Sequence, residues 1–339
     1  MPSVYALVVI GLVGTAEQLG EVTAVDRQAV LGGARGVPRV KIAAGKARVG
    51  GGDPRALSGR AGPGAAASVP ASPGAGIVSY PRVRFPSDVV YNGGQVIRSA
   101  QIHNIFMIPT SVYGPCTPAS CWGEPDRIVR DLVESDFIHV IDQYVASSPG
   151  HRYTLGRSYI NQYTPSGTPF TDADVAAIVH HYAAISGDVG YGHIYHVYFP
   201  PGQDVCFDSS FSQCTSNYFC AYHNSADTDI GHLIYSIQPP GDLPGCTMAQ
   251  PSANGPLIDS TADAIFHESL EAITDPDGTA WWNSDNAGSL GSEVADLCDF
   301  FFFEGGLAVE EPTTLWLTTR FYSVAMVYNN ARHACTAEP

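Results

Sequence analysis

Lysine is nearly missing from this chain: of 339 residues only Lys41 and Lys46 are lysine, and both precede residue 77. Residues 1–76 hold eight basic and four acidic side chains, whereas the rest sets nine arginines against 29 carboxylates. The Lys/Arg patches that bind nucleic acid or anionic membranes are therefore lacking. No apolar run approaches the roughly 18 residues of a membrane-spanning helix. C-x-x-C pairs are missing too, which disfavours a zinc ribbon or a thioredoxin-type site. There is no G-x-S-x-G elbow, no P-loop and no dinucleotide glycine fingerprint, so serine-hydrolase, NTPase and Rossmann readings have no motif behind them. No internal repeat is visible.

What is present begins with eight cysteines, all after residue 110: Cys116, Cys121, Cys206, Cys214, Cys220, Cys246, Cys298 and Cys335. An even set among Gly/Pro/Ser-rich stretches points to disulfides in an oxidising compartment, with 105 pairings open. At the N-terminus, "VYALVVIGLVGTA" (Val4–Ala16) has the apolar core and small-residue end of a signal peptide, although no Lys or Arg precedes it. Together these features predict secretion, with residues 1–16 signal-like. Residues 17–76 are rich in Gly, Ala and Pro and read as a disordered leader that buries too little surface to offset its ordering entropy. The fold is expected over residues 77–339, as one α/β (α+β) domain with a mixed sheet, and as a monomer.

Within it, "GGQVIRSAQIHNIFMIP" reads as a strand after a turn at Asn92-Gly93-Gly94, and "HIYHVYF" and "GHLIYSIQ" as short strands. Residues 125–147 show helical spacing of Ile128, Leu132, Val133, Phe137, Val140, Ile141 and Tyr144. A second helix follows a capping box from Thr171 to Asp174. A third helix is expected over Ser260–Thr274, with Ser260 as N-cap, Asp263 in the first turn, and Ala264, Ile265, Leu270, Ala272 and Ile273 buried. Pro276 ends it. The tail "LWLTTRFYSVAMVYNNARHAC" reads as a strand followed by a further strand or short helix.

The third helix carries His267-Glu268-Ser269-Leu270-Glu271, an H-E-x-x-E sequence. Residues i and i+4 of a helix rise from one face, so His267 and Glu271 can offer two ligands to one metal ion. Glu268 stands beside them, where H-E-x-x-H enzymes hold their general base. A third ligand must come from elsewhere, and "SEVADLCDF" supplies Glu293, with Asp296 as a partner that supports His267 or as the ligand itself. A bland alternative has Glu268 and Glu271 solvated on an exposed helix face and His267 a surface histidine. A His/Glu/Glu set nearly neutralises Zn²⁺, acidifies a bound water less than His₂Glu does, and shifts preference toward Mn²⁺ or Ca²⁺. Glu268 with Glu293 could instead form a glycosidase pair. His223 reads as a histidine of a Cys-rich loop that could approach the same cleft. His180, His181, His193 and His196 lie in apolar-periodic segments and read as structural.

The block "HESLEAITDPDGTAWWNSDNAGSLGSEVADLC" resembles the H-E-[small]-x-E-x-x-T-[DN]-P … W … E-[IV]-A-D-L-C block of the phosphate-induced, Exordium-like proteins of plants and their bacterial relatives. "VVYNGGQVI", "YFCAYHN" and "RFYSVAMVYNNARHACT" resemble other segments of that family in the same order, so the likeness spans most of residues 85–336. The matching positions are His267, Glu268, Glu271, Thr274, Asp275, Pro276, Trp282, Glu293, Asp296 and Cys298. Asp275 stands where plant members tend to have Asn. The resemblance implies a secreted, wall-associated protein with a zincin-like helix, and it implies a Cys298–Cys335 disulfide. Cys116–Cys121 and Cys206–Cys214 are the expected local pairs, which leaves Cys220 with Cys246.

The resulting expectation is a secreted, zincin-like metalloprotein. His267, Glu271 and Glu293 would hold Zn²⁺ (or Mn²⁺ or Ca²⁺), Glu268 would act on water, and Asp296, Asp275 and His223 would stand behind them. Its substrate would be an extracellular peptide or polysaccharide. The alternative is a non-catalytic extracellular or wall-associated binding protein.

Overall fold

The computed structural model describes residues 41–42, 88–110, 116–146, 150–240, 243, 246–247, 253–283, 293–303, 306–309, 313–324 and 326–339. The signal-like segment, the leader apart from residues 41–42, and the expected start near residue 77 lie outside the described residues. In chain order the elements are β1 (Lys41–Ile42), β2 (Val90–Tyr91), β3 (Ala100–Pro109), α1 (Pro118–Trp122), α2 (Pro125–Val133), a 3₁₀ turn (Asp136–Ile141), α3 (Asp142–Val145), β4 (Tyr153–Tyr163), β5 (Phe170–Thr171) and α4 (Asp172–Ser186). Then come β6 (His193–Tyr198), β7 (Val205–Cys206), β8 (Tyr222–Thr228), β9 (Gly231–Gln238), α5 (Pro256–Thr274), β10 (Trp281–Trp282) and α6 (Asp296–Asp299). Short antiparallel pairs close the chain: β11 (Phe300–Phe303) with β12 (Gly306–Val309), β13 (Thr313–Leu317) with β14 (Arg320–Val324), and β15 (Val327–Asn329) with β16 (Ala334–Thr336).

The main sheet has the order β1-β8-β9-β6-β3-β4. β9, β6, β3 and β4 run parallel, while β8 pairs antiparallel with β9, and β1 antiparallel with β8. The chain is thus a mixed α/β fold on a mixed sheet. Parallel strands need covering on both faces, and their side chains alternate between the two. On β3, Ile102 and Phe106 face one core, and Ile105 and Met107 the other. Helix α4 covers the second face with Val175, Ile178, Val179 and Tyr182. The first face packs against α5, α2 and the 3₁₀ turn through Ile265, Phe266, Leu270, Ile273, Ile128, Leu132 and Phe137.

Helix α4 starts as expected: Thr171 accepts from the Asp174 amide, and Asp174 accepts from the Thr171 amide. The helix expected over residues 125–147 is instead broken after Val133. Ser135 takes an extended backbone and donates its hydroxyl to the Leu132 carbonyl, so the apolar residues beyond it continue as a 3₁₀ turn and then α3. The third helix also begins earlier than expected. Pro256 occupies its first turn, where a missing N–H is harmless. Ser260 is internal, and Asp259 takes the first-turn acidic place, accepting from the Asn254 amide and side chain and from the Ser323 amide. Ala264 is half-buried, while residues 265–274 are buried on every side. α5 is therefore a central helix without a solvated face, and the bland placement of Glu268 and Glu271 does not hold.

Two fastenings fix the ends of this helix region. After α5, residues 279–282 pair with the β2 strand and turn. The Asn92 amide donates to the Ala280 carbonyl, and the Gly94 amide to that of Thr279. A Cβ on Gly94 would lie 2.3 Å from Thr279 Oγ1, so the approach admits only glycine. The disulfides are Cys116–Cys121, Cys206–Cys214, Cys220–Cys246 and Cys298–Cys335, the expected pairs. They fit an oxidising environment. Among the described residues no helix is long and apolar enough to cross a membrane.

Candidate metal centre

The i, i+4 spacing on α5 brings His267 Nε2 within 3.2 Å of Glu271 Oε2. Asp296 Oδ1, from the first turn of α6, lies 3.6 Å from the same nitrogen. These three ligand atoms all fall within 4.8 Å of one another. Backbone amides assign the remaining oxygens. Glu271 Oε1 accepts from the Ala295 and Asp296 amides at 3.1 and 3.0 Å, and Asp296 Oδ2 accepts from the Glu293 amide at 3.1 Å. The segment bearing Asp296 is thus docked onto Glu271 by the oxygen that Glu271 does not turn toward His267.

Glu293 goes elsewhere. Its Oε1 lies 3.7 Å from Nε2 of His223. Glu293 and Asp296 are three residues apart on one tight turn, and spacing from Glu271 does not tell which of them meets His267. The structure brings Asp296 there and sets Glu293 beside His223.

His223 stands on strand β8, not in a Cys-rich loop. Tyr222 and Ala226 belong to the core under α4, so alternation turns His223 toward α5. Its Nδ1 lies 3.4 Å from Glu268 Oε2 and 3.9 Å from Glu271 Oε2, and these form a second group within 4.8 Å. Its Nε2–H donates to the Asp275 carbonyl at 3.1 Å. A backbone carbonyl can only accept, so in the neutral ring the Nδ1 lone pair points into the acidic group, the arrangement that orients metal-binding histidines. The alternation Tyr222-x-Asn224-x-Ala226 was the sequence signal for this placement.

The chemistry of the donors fits a cation. His267, Glu268, Glu271, Asp275, Glu293 and Asp296 are all buried, as is the His223 side chain. Burial, with Asp296 beside it, pushes the Glu271 carboxyl up to about 7 against the pull of His267. Burial also raises the Asp275 carboxyl, although the Ala280 and Thr279 amides and His223 oppose it. For His223 burial acts downward, but the hydrogen bond and charge of Glu268, with Glu271 and Asp275, outweigh it and lift the imidazole to about 9. Enclosed carboxylates hold protons in this way when positive charge is short.

Two other groups do not suit a metal. In His103/Asp188/His193, the Arg157 amide donates to His103 Nδ1 at 2.9 Å. The ring must then carry its proton on Nε2, which donates to His193 Nδ1 at 3.1 Å and has no lone pair to give. In Asp204/Cys206/Cys214 both sulfurs belong to a disulfide. His196 is structural: fully buried between the sheet and α5, it bonds Ser236 and Ser269. His180 and His232 pair with Asp229, and with Asp227 and Asp277.

No family model, curated protein or solved structure matches the chain. The chemistry of the centre rests on its own geometry.

Proposed function

We propose that this protein is a secreted, zincin-like metal-dependent hydrolase acting on an extracellular peptide or polysaccharide. His267 Nε2, Glu271 Oε2 and Asp296 Oδ1 would hold the ion. The supporting observation is their convergence within 4.8 Å while backbone amides occupy the other Glu271 and Asp296 oxygens. Zn²⁺ suits the histidine, and the two carboxylates also admit Mn²⁺ or Ca²⁺. A bound divalent ion supplies Lewis acidity, which acidifies water and polarises the electrophile.

The chain's own residues supply the rest. Glu268, next to His267 and held by His223 at 3.4 Å, takes the proton of the attacking water and passes it to the leaving group. The Asp275 carbonyl fixes His223, and so fixes Glu268. Four disulfides support secretion.

The enclosure of the centre favours a second reading, a non-catalytic extracellular or wall-associated binding protein of the Exordium-like type in which the acidic cluster is structural. Glu268→Gln separates the two. An enzyme keeps its fold and ion, while turnover of casein or of a wall polysaccharide falls about 10²–10⁴-fold. A wild-type chain that binds the ion and hydrolyses neither leaves the binding reading; a chain that binds no divalent ion refutes the hydrolase.

A further inference from the structure

We propose that the centre has a second cation position, formed by His223 Nδ1, Glu268 Oε2 and Glu271 Oε2, and that filling it withdraws Glu268 from its role as base. The inference rests on the reading that His267, Glu271 and Asp296 hold a first ion.

Glu271 Oε2 is common to both groups, 3.2 Å from His267 Nε2 and 3.9 Å from His223 Nδ1. One carboxylate oxygen within reach of two histidines has the placement of a bridging ligand, and ions bridged in two-metal sites sit about 3.5–4 Å apart. His223 is built for ligation by the observation that separates it from His103: its Nε2–H is committed to a backbone carbonyl, so its Nδ1 faces the carboxylates. Charge favours the second ion. Glu268, Glu271, Asp275, Glu293 and Asp296 form one buried set of five carboxyl groups, more than a single divalent ion neutralises. Buried charge without a partner is strongly unfavourable, and a second ion removes most of the excess.

The positions are not equivalent. The first has its carboxylates pre-oriented by three backbone amides, whereas among the described residues Glu268 is oriented by His223 alone, so the first binds more tightly. A lone pair of Glu268 given to the second ion no longer accepts a proton from water. Low metal thus supports the base, and excess metal blocks it.

The test is titration of the metal-stripped full chain with Zn²⁺, read by calorimetry and by metal content after dialysis, with near-ultraviolet circular dichroism as the fold check. Wild type should bind two ions per chain, one tight and one weak. His223→Gln and His223→Ala should bind only the tight one, and His267→Ala should lose it. With Mn²⁺, the six-line resonance of the first equivalent should broaden when the second binds, because ions sharing one carboxylate couple magnetically. Saturation of wild type at one ion, with that ion kept in His223→Gln, overturns the second position and leaves the proposed function standing. A second ion that survives His223→Gln but disappears in His232→Ala belongs to the His232–Asp227–Asp277 group and also overturns it. No binding by wild type removes the proposed function with it.

Discussion

Replacing both Cys298 and Cys335 by alanine should lower stability and, separately, weaken binding of the first ion. The bridge closes a separation of 37 residues, for which the loop-entropy relation gives about 4 kcal/mol. That effect belongs to the unfolded chain and by itself leaves a native metal site unchanged. The structure adds a native effect. Cys298 is two residues beyond Asp296 and fully buried, and the neighbouring Tyr328 amide donates to the Val294 carbonyl at 2.8 Å. The disulfide therefore clamps the turn that carries Asp296 and the two amides on Glu271. Cys116/Cys121 is the control. Its separation of 5 gives about 2 kcal/mol by the same relation, and none of the centre's donors lies on α1. Guanidinium unfolding of the metal-free proteins should show the larger loss for Cys298/Cys335, a melting decrease of roughly 8–16 °C at 2–4 °C per kcal/mol. Calorimetry at a temperature where all variants are folded should show weaker Zn²⁺ binding in that variant alone. Equal Zn²⁺ affinity in the two double variants would refute the clamp, and a stability loss below about 1 kcal/mol for Cys298/Cys335 would refute the loop argument as well.

Glu271 and His223 should make the metal-free protein lose stability as pH rises from about 4.5 to 9, offset below about 6.5 by His103 and His196, which burial lowers to about 4 and about 3. Glu271, raised to about 7, and His223, raised to about 9, both hold protons more tightly when folded, and such groups stabilise below their unfolded pKa and lose that contribution through their folded one. A melting series should therefore show a higher Tm at pH 5.5 than at pH 8.5 without metal, and a larger gain from Zn²⁺ at pH 8.5; a flat profile with no metal response would contradict it. Gly94→Ala should destabilise by about 1–3 kcal/mol, since the new methyl meets Thr279 side chain and backbone at 2.3–2.6 Å, and a loss under about 0.5 kcal/mol in urea unfolding would show that the contact gives way freely.

The sequence by itself determined what depends on local spacing. The capping box at Thr171 needs only residues three apart, and it forms as read. His267 and Glu271 share a face because they are four apart on a helix, whatever surrounds them. Tertiary structure decided the rest. The helical spacing over residues 125–147 did not reveal the break at Ser135, where the extended backbone lets the chain fold back over the core. The choice of Asp296 over Glu293 beside His267 came from how one turn docks its amides onto Glu271, across 24 and 25 residues of chain. His223 lies far from α5 in sequence, and only the pairing of β8 with β9 lays it over Glu268. Burial was settled in the same way. Alone, an H-E-x-x-E helix has a polar side suited to water; enclosed by strands, loops and the C-terminal hairpins, its carboxylates lose that water and must find protons or a cation.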